Sequence, residues 1–335
     1  HLGAFCWLRG MTGTVHLLLS LLLHTDVKDS VEAILNIPST TRRANVQGKV
    51  RNMLYSHRRK ALFILFEENV TNSRVGVIDR NNNFKEYETQ CNCTQTSTNV
   101  YDLAWMDTDE TVAVLSDTLN HRILYSDVEV DLETFNRSTF YPFVGNAGVQ
   151  NYIDGYGSSA NFDMPENLAS RRIDSMTYVI DGGGKRVREL HDDQLVKTLA
   201  GSIGAGTQDG MGTNAGFNEL SDIAIPSGSS WYIYGFDLAT TTPSKIRAIK
   251  LSDGEVTTVT TVDGSHLNQM ATVLDFVDTP EFYISDTNSN RIIRVRSNGS
   301  QTNDFIGTSG QSGSDDGIGA EARFEEIGGI TYEDD

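Results

Sequence analysis

The sequence predicts an all-β chain whose short four-stranded antiparallel sheets repeat around an axis, a β-propeller, and three observations predict it. First, one phrase occurs three times. It runs from Val144-Gly145 through Asp154-Gly155-Tyr156-Gly157 to Ala160-Asn161-Phe162, and from Ala200-Gly201 through Asp209-Gly210-Met211-Gly212 to Ala215-Gly216-Phe217. It returns from Ile306-Gly307 through Asp316-Gly317-Ile318-Gly319 to Ala322-Arg323-Phe324. The closing phenylalanines lie 55 and then 107 residues apart, so one copy between them has lost its signature. Fixed-period self-similarity marks a repeat array. Second, the chain is 38% hydrophobic with 30 glycines and 6 prolines, which suits many short strands joined by turns and is too apolar for disorder. Third, residues 273–307 read as one complete meander, with strands of four to six residues and an Asn298-Gly299 turn closing the last hairpin.

The N-terminal end reads differently. Met11 is followed by Leu17-Leu18-Leu19-Ser20-Leu21-Leu22-Leu23, too short to span a bilayer but suited to the apolar region of a secretory leader over 11–25. Residues 1–10 do not begin with Met and read as upstream sequence translated in frame. Residues 26–45 read as a basic linker or an outer strand. Residues 26–60 carry eight Lys/Arg against three acids, whereas 61–335 carries 18 basic and 42 acidic residues. The overall charge of −18 repels phosphate backbones and argues against a nucleic-acid partner.

Four Asn-x-Ser/Thr acceptors, at Asn69, Asn92, Asn136 and Asn298, agree with a secreted or cell-surface chain. Cys91 and Cys93 flank Asn92. That spacing can close a small loop disulfide, hold a metal with other ligands, or pair outside this sequence, and it excludes a zinc ribbon.

The body, 46–335, repeats a turn. Asp117-Thr118-Leu119-Asn120-His121-Arg122-Ile123 and Asp286-Thr287-Asn288-Ser289-Asn290-Arg291-Ile292 are its clearest copies, with weaker ones ending at Arg74, Arg186 and Lys245. These residues resemble the signature of the NHL repeat, and the Gly…Asp-Gly-x-Gly-x-x-Ala-x-Phe connectors resemble those of extracellular NHL proteins. The resemblance implies four-stranded propeller blades. Five are complete here, and a sixth begins at Ile327 and stops at Asp335, so the sequence reads as a C-terminal fragment unless 30–45 supplies an outer strand. In physical terms, Asp-Gly supplies a self-bonding turn residue and one tolerant of positive φ, and the second glycine permits close approach. Ala and Phe then wedge between blades while the residue between them points outward. The turn arginine is expected to reach a carboxylate of the next blade.

No catalytic constellation is legible. His57, His121, His191 and His266 are scattered, and no nucleophile elbow or phosphate loop occurs. The histidine and zinc set that the resemblance would suggest for NHL-type amidating lyases finds no counterpart. Asp154, Asp209, Asp315 and Asp316 offer oxygens to calcium, yet they recur with the turn. The expected function is therefore a protein- or glycan-binding scaffold without cofactor, tethered to a membrane only through a segment beyond Asp335. The alternative is a six-bladed lyase or calcium-dependent hydrolase with its site at the channel mouth.

Overall fold

A computed structural model describes residues 3–9, 15–21, 43–44, 49–56, 61–69, 72–78, 84–91, 100–127, 138–183, 185–204, 206–226, 231–239, 243–263, 267–274, 280–324 and 327–333. Strands β1 (Gly3–Arg9), β2 (Val15–Leu21) and β3 (Arg43–Ala44) come first. Blade 1 is β4 (Lys49–Ser56), β5 (Ala61–Asn69), β6 (Asn72–Ile78) and β7 (Phe84–Cys91). Blade 2 is β8 (Val100–Trp105), β9 (Val112–Asp117), β10 (Arg122–Asp127) and β11 (Ser138–Val144). The two-residue β12 (Gly155–Tyr156) precedes blade 3, which is β13 (Leu168–Arg171), β14 (Met176–Asp181), β15 (Arg186–Leu190) and β16 (Leu195–Gly201). After β17 (Gly210–Met211), blade 4 is β18 (Leu220–Ala224), β19 (Tyr232–Asp237), β20 (Ser244–Lys250) and β21 (Glu255–Val262). Blade 5 is β22 (Leu267–Leu274), β23 (Pro280–Asp286), β24 (Arg291–Arg296) and β25 (Gln301–Gly307), and β26 (Ile327–Glu333) follows.

Each blade is a meander of sequential antiparallel neighbours, as hairpin turns between period-two strands demand. The first strands of the blades neighbour one another in the order β4, β8, β13, β18, β22, β26 and back to β4. They surround a central channel. The strand β26 pairs antiparallel with β1, and β1 with β2. The fourth strand of that sheet is β3, where Val15 and His16 face Ala44 and Arg43. Gly3–Arg9, read as upstream sequence, and Val15–Leu21, within the stretch read as a leader, have strand backbone, since an apolar run suits a strand edge as well as it suits a leader.

The core lies between blades. One cluster joins Ala104, Met106 and Val114 of blade 2 through Ala160 and Phe162 to Val179 and Val196 of blade 3. A second joins Tyr178, Val187 and Ala200 through Ala215 and Phe217 to Ile223 and Ile249 of blade 4. A third joins Tyr283 and Ile306 of blade 5 through Ala322 and Phe324 to Ile327 and Ile330. All three phenylalanines are 0% exposed. The intervening residue does not uniformly point outward as alternation suggests. Asn161 is buried, and its carbonyl accepts from Arg188 Nη1.

Candidate functional site

The repeated turn is built from its own residues. Arg122 Nε donates to Asp117 Oδ2 at 2.7 Å, and Asn120 Nδ2 donates to the same carboxylate at 2.9 and 3.0 Å. In blade 5, Arg291 reaches Asp286 at 3.1 Å and Asp304 at 3.0 Å, while Asn290 takes the left-handed conformation that ends the turn. The carboxylates bonded here belong to the arginines' own blades, where the expectation was a carboxylate of the next. The crossing is made by the turn threonine. Thr118 Oγ1 donates to the Pro165 carbonyl at 2.7 Å, and Thr287 Oγ1 to the Ile327 carbonyl at 2.9 Å.

The connector glycines also exchange roles. Positive φ belongs to the second glycine, at Gly157, Gly212 and Gly319, not to the one after Asp. A Cβ on Gly210 would stand 3.1 Å from the Asn214 carbonyl oxygen, so the first glycine serves close approach.

Asp154 and Asp209, weighed as calcium ligands, have different partners. Arg188 Nη2 donates to Asp154 Oδ1 at 2.8 Å and Arg247 Nη2 to Asp209 Oδ1 at 2.9 Å. The same two carboxylates accept from the backbone and hydroxyl of Thr198 and Thr258, respectively. Each arginine turns its other nitrogen to a buried acid, Asp181 at 2.6 Å and Asp237 at 2.8 Å. Each also lies over the neighbouring ring, Arg188 over Phe162 and Arg247 over Phe217. Sequence reading missed both arginines. Their signal is a second basic residue two positions past the turn, as Arg186-Val187-Arg188 and Lys245-Ile246-Arg247. Asp316 and Gly317 sit on an exposed connector that leads into β26. Asn298 is exposed in its turn, whereas Asn92, Cys93 and Asn136 lie outside the described residues.

At the channel, three blades bring polar side chains together. Asp102 accepts from Leu103 N–H at 2.6 Å and from Leu168 N–H of the next inner strand at 2.7 Å. Asp222 accepts from Ile223 N–H at 2.9 Å, from Met270 N–H of the next inner strand at 2.8 Å, and from Asn167 Nδ2 of the preceding blade at 3.2 Å. Burial pushes Asp102 up to about 7. Burial, helped by the charge of Asp102, pushes Asp222 up to about 8. The bulges that aim these residues recur. Register shifts fall between Val50 and Asn52, Val100 and Leu103, Leu220 and Asp222, and Leu267 and Met270. Asn52 and Gln269 thereby hold the register position that Asp102, Asn167 and Asp222 hold on their strands, immediately before the residues paired with Ile64, Leu115, Val179, Gly235 and Ile284. Bulges re-aim side chains in this way beside sites. Among the described residues, no group of three or more His, Cys, Asp or Glu gathers as a metal cluster.

A second constellation lies where the blade 2 turn meets the connector into blade 3. Gly148 N–H donates to the Asn120 carbonyl at 3.0 Å, and Met164 N–H donates to His121 Nδ1 at 3.0 Å. These bonds gather Leu119, Val149 and Met164, exposed by 53, 39 and 39%. Beneath them Asp163 accepts from Tyr152 Oη and from Gln150 Nε2 and stands 4.0 Å from His121 Nδ1. The bond to Asp163 pushes the Tyr152 phenol up to about 12, so it stays a donor. The same framework recurs between blade 5 and β26, where Gly310 N–H donates to the Ser289 carbonyl at 3.1 Å. There the places of Leu119 and Val149 are taken by Asn288 and Gln311. The fold therefore does not require apolar residues at these positions.

No protein-family model matches the chain, and no curated protein matches it. Solved structures do. The chain is similar to a nidogen/laminin complex at 11% identity, covering 99% of this chain and 98% of that one with a TM-score of 0.58. It is similar to a streptogramin B lyase at 12% identity, covering 98 and 87% with a TM-score of 0.54. It is also similar to an auxiliary nutrient binding protein from Bacteroides thetaiotaomicron at 14% identity, covering 86 and 64% with a TM-score of 0.55. At such identities the likeness defines the fold alone, and the chain is a β-propeller. Propellers of this kind include both binding proteins and enzymes.

Proposed function

We propose that this chain is a secreted or cell-surface, non-catalytic propeller of the NHL-repeat type that binds a protein partner at the seam of blades 2 and 3. The observation that carries the reading is the exposed trio Leu119, Val149 and Met164, set on a framework that is polar at Asn288 and Gln311 in its other copy. Exposed apolar side chains rimmed by hydrogen-bonded polar groups suit a protein interface, and aliphatic and methionine side chains suit one better than they suit a sugar ring. That one similar solved structure is a nidogen/laminin complex is in keeping with a protein partner. The channel trio is the one feature favouring the catalytic alternative, but both of its carboxylates accept main-chain N–H groups that tie neighbouring inner strands together.

Screening the purified protein on an array of extracellular proteins and a glycan array tests this. A protein hit should weaken at least about 10-fold in Leu119→Glu/Val149→Glu, the scale of truncating a hot spot. It should persist in Asn288→Glu/Gln311→Glu. Glycan hits alone, or hits indifferent to the first pair, overturn the reading.

Secretion has its own test. Protein recovered from the medium of expressing cells should lose apparent mass with peptide-N-glycosidase and begin near Asp26. Cytosolic retention with no mass shift counts against a secreted chain, and a secreted chain still carrying Val15–Leu21 counts against the leader.

A further inference from the structure

We propose that His121 is a proton-operated latch on the seam face: the neutral ring holds Met164 in place, and the protonated ring turns to Asp163 and lets Met164 go. Release of a partner at mildly acidic pH then follows if the protein-binding reading above holds; the latch itself does not depend on that reading. Met164 is held against its preference. Its φ is +56°, in the left-handed region, and it precedes Pro165. A long apolar side chain gains nothing there, and the residue before a proline favours extended backbone. Such conformations persist where the surroundings over-determine them. The restraint is the donation of Met164 N–H to His121 Nδ1 at 3.0 Å. Thr118 of the same turn holds the Pro165 carbonyl at 2.7 Å, so release stays local to Met164.

A main-chain N–H can only donate, so His121 Nδ1 carries a lone pair and the proton of the neutral ring sits on Nε2. A second proton can enter only at Nδ1, and it cannot share that nitrogen with Met164 N–H. An acceptor for it is at hand, since Asp163 Oδ1 stands 4.0 Å from Nδ1. The other charged groups near the ring are already matched. On its own turn Asp117 pairs with Arg122 at 2.7 Å. On the connector Asp163 accepts from Gln150 and from Tyr152, whose phenol, pushed up to about 12, stays a donor throughout. On blade 3 Asp181 accepts Asp163 N–H and pairs with Arg188, while Arg186 lies over the Tyr152 ring. The latched form takes no second proton and the released form does, so acid drives release. Histidine makes this change between about pH 5 and 8.

The fold does not require this pair. The residue before the arginine that pairs across the turn is His121 in blade 2, Lys185 in blade 3 and Asn290 in blade 5. The residue after the buried ring is Asp163 in one connector and Asn218 in the next, and both donate N–H to the acid that ends a second strand, Asp181 or Asp237. Histidine and acid meet at the seam that also carries Leu119, Val149 and Met164.

Nuclear magnetic resonance of the full chain, labelled with carbon-13 at the methionine methyls, tests the latch with no partner present. The Met164 methyl, assigned by its loss in Met164→Leu, should shift as pH is lowered from 7.5 to 5, with the same midpoint as the His121 ring Cε1–H. In His121→Asn, which supplies the residue type that takes the left-handed position at Asn290, the methyl should stay fixed over that range. In Asp163→Asn the midpoint should move to lower pH, because the imidazolium loses its anion. A wild-type Met164 methyl that does not follow the His121 ring overturns the proposal whether or not either variant folds. A methyl that titrates unchanged in folded His121→Asn overturns it too. A protein captured on the extracellular array at pH 7.5 should bind the wild type at least about 5-fold more weakly at pH 5.5, the lower scale of coupling between sites, and should lose less in His121→Asn. An array without protein hits sinks the binding reading alone, and the methyl titration still decides the latch.

Discussion

Arg188→Met is expected to destabilise the protein by about 3–5 kcal/mol, the usual consequence of stripping one partner from a buried ion pair. The guanidinium is 0% exposed and holds two acids and two carbonyl oxygens at once: Asp181, Asp154, Asn161 O and Ile153 O. Methionine fills the space over Phe162 but leaves Asp181 buried with a charge and no cation. The sign of the pH dependence follows. Burial already raises the Asp181 carboxyl, with Arg188 pulling it down. Without Arg188 the folded-state value rises further above the unfolded one. The folded state then binds the extra proton, so the variant should recover stability as pH falls below neutrality and lose it as pH rises. Urea unfolding at pH 5 and pH 8 checks this. Equal deficits at the two pH values would show that lost packing, rather than the stranded charge, is the cause. Arg188→Met/Asp181→Asn should be less damaged than the single variant at pH 8.

Phe217→Ala is expected to cost a similar amount, about 3–5 kcal/mol, from lost transfer energy and the cavity left behind. The ring is fully buried between blades 3 and 4 and lies under the Arg247 guanidinium. Its neighbourhood leaves no room to collapse on the connector side. A Cβ on Gly201, itself at φ +91°, would meet the Lys185 carbonyl at 2.3 Å and the ring at 2.9 Å. Gly216→Ser makes the contrast. Its φ is not positive, and the new Cβ would meet the end of the Gln208 side chain at 2.8 Å, which can rotate away. That change should stay within about 1 kcal/mol. Parallel urea titrations of the two variants decide it, and comparable losses would mean that the seam depends on the connector backbone rather than on the ring.

The arrangement of the channel and of the binding face came from neither motif nor spacing. Asp102, Asn167 and Asp222 stand in three different contexts, Tyr-Asp-Leu, Glu-Asn-Leu and Ser-Asp-Ile, and no phrase joins them. They share one place because bulges on the strands of Asp102 and Asp222 bring those two to the register level that Asn167 holds just before β13. The seam patch escaped for the same reason, since Leu119, Val149 and Met164 belong to two loops that meet only through Gly148 and Met164 N–H bonds. The glycine roles were exchanged because composition shows that a glycine is wanted, while only coordinates show whether φ or close approach demands it.

What the sequence determined by itself was local and repeated. Alternation within short strands, turn residues at fixed offsets and three copies of Ala-x-Phe specified the blades and the rings that lie between them, because period-two patterning and turn chemistry act over a few neighbouring residues. The tertiary structure decided what depends on strands meeting across the ring. It placed Thr118 on the next blade, Arg188 and Arg247 on the connector acids, β26 beside β1, and the three polar side chains at one height of the channel. Each is a contact between residues 27 or more apart in sequence, such as Arg188 with the Asn161 carbonyl. Such contacts are set by blade-to-blade packing, which no local pattern encodes.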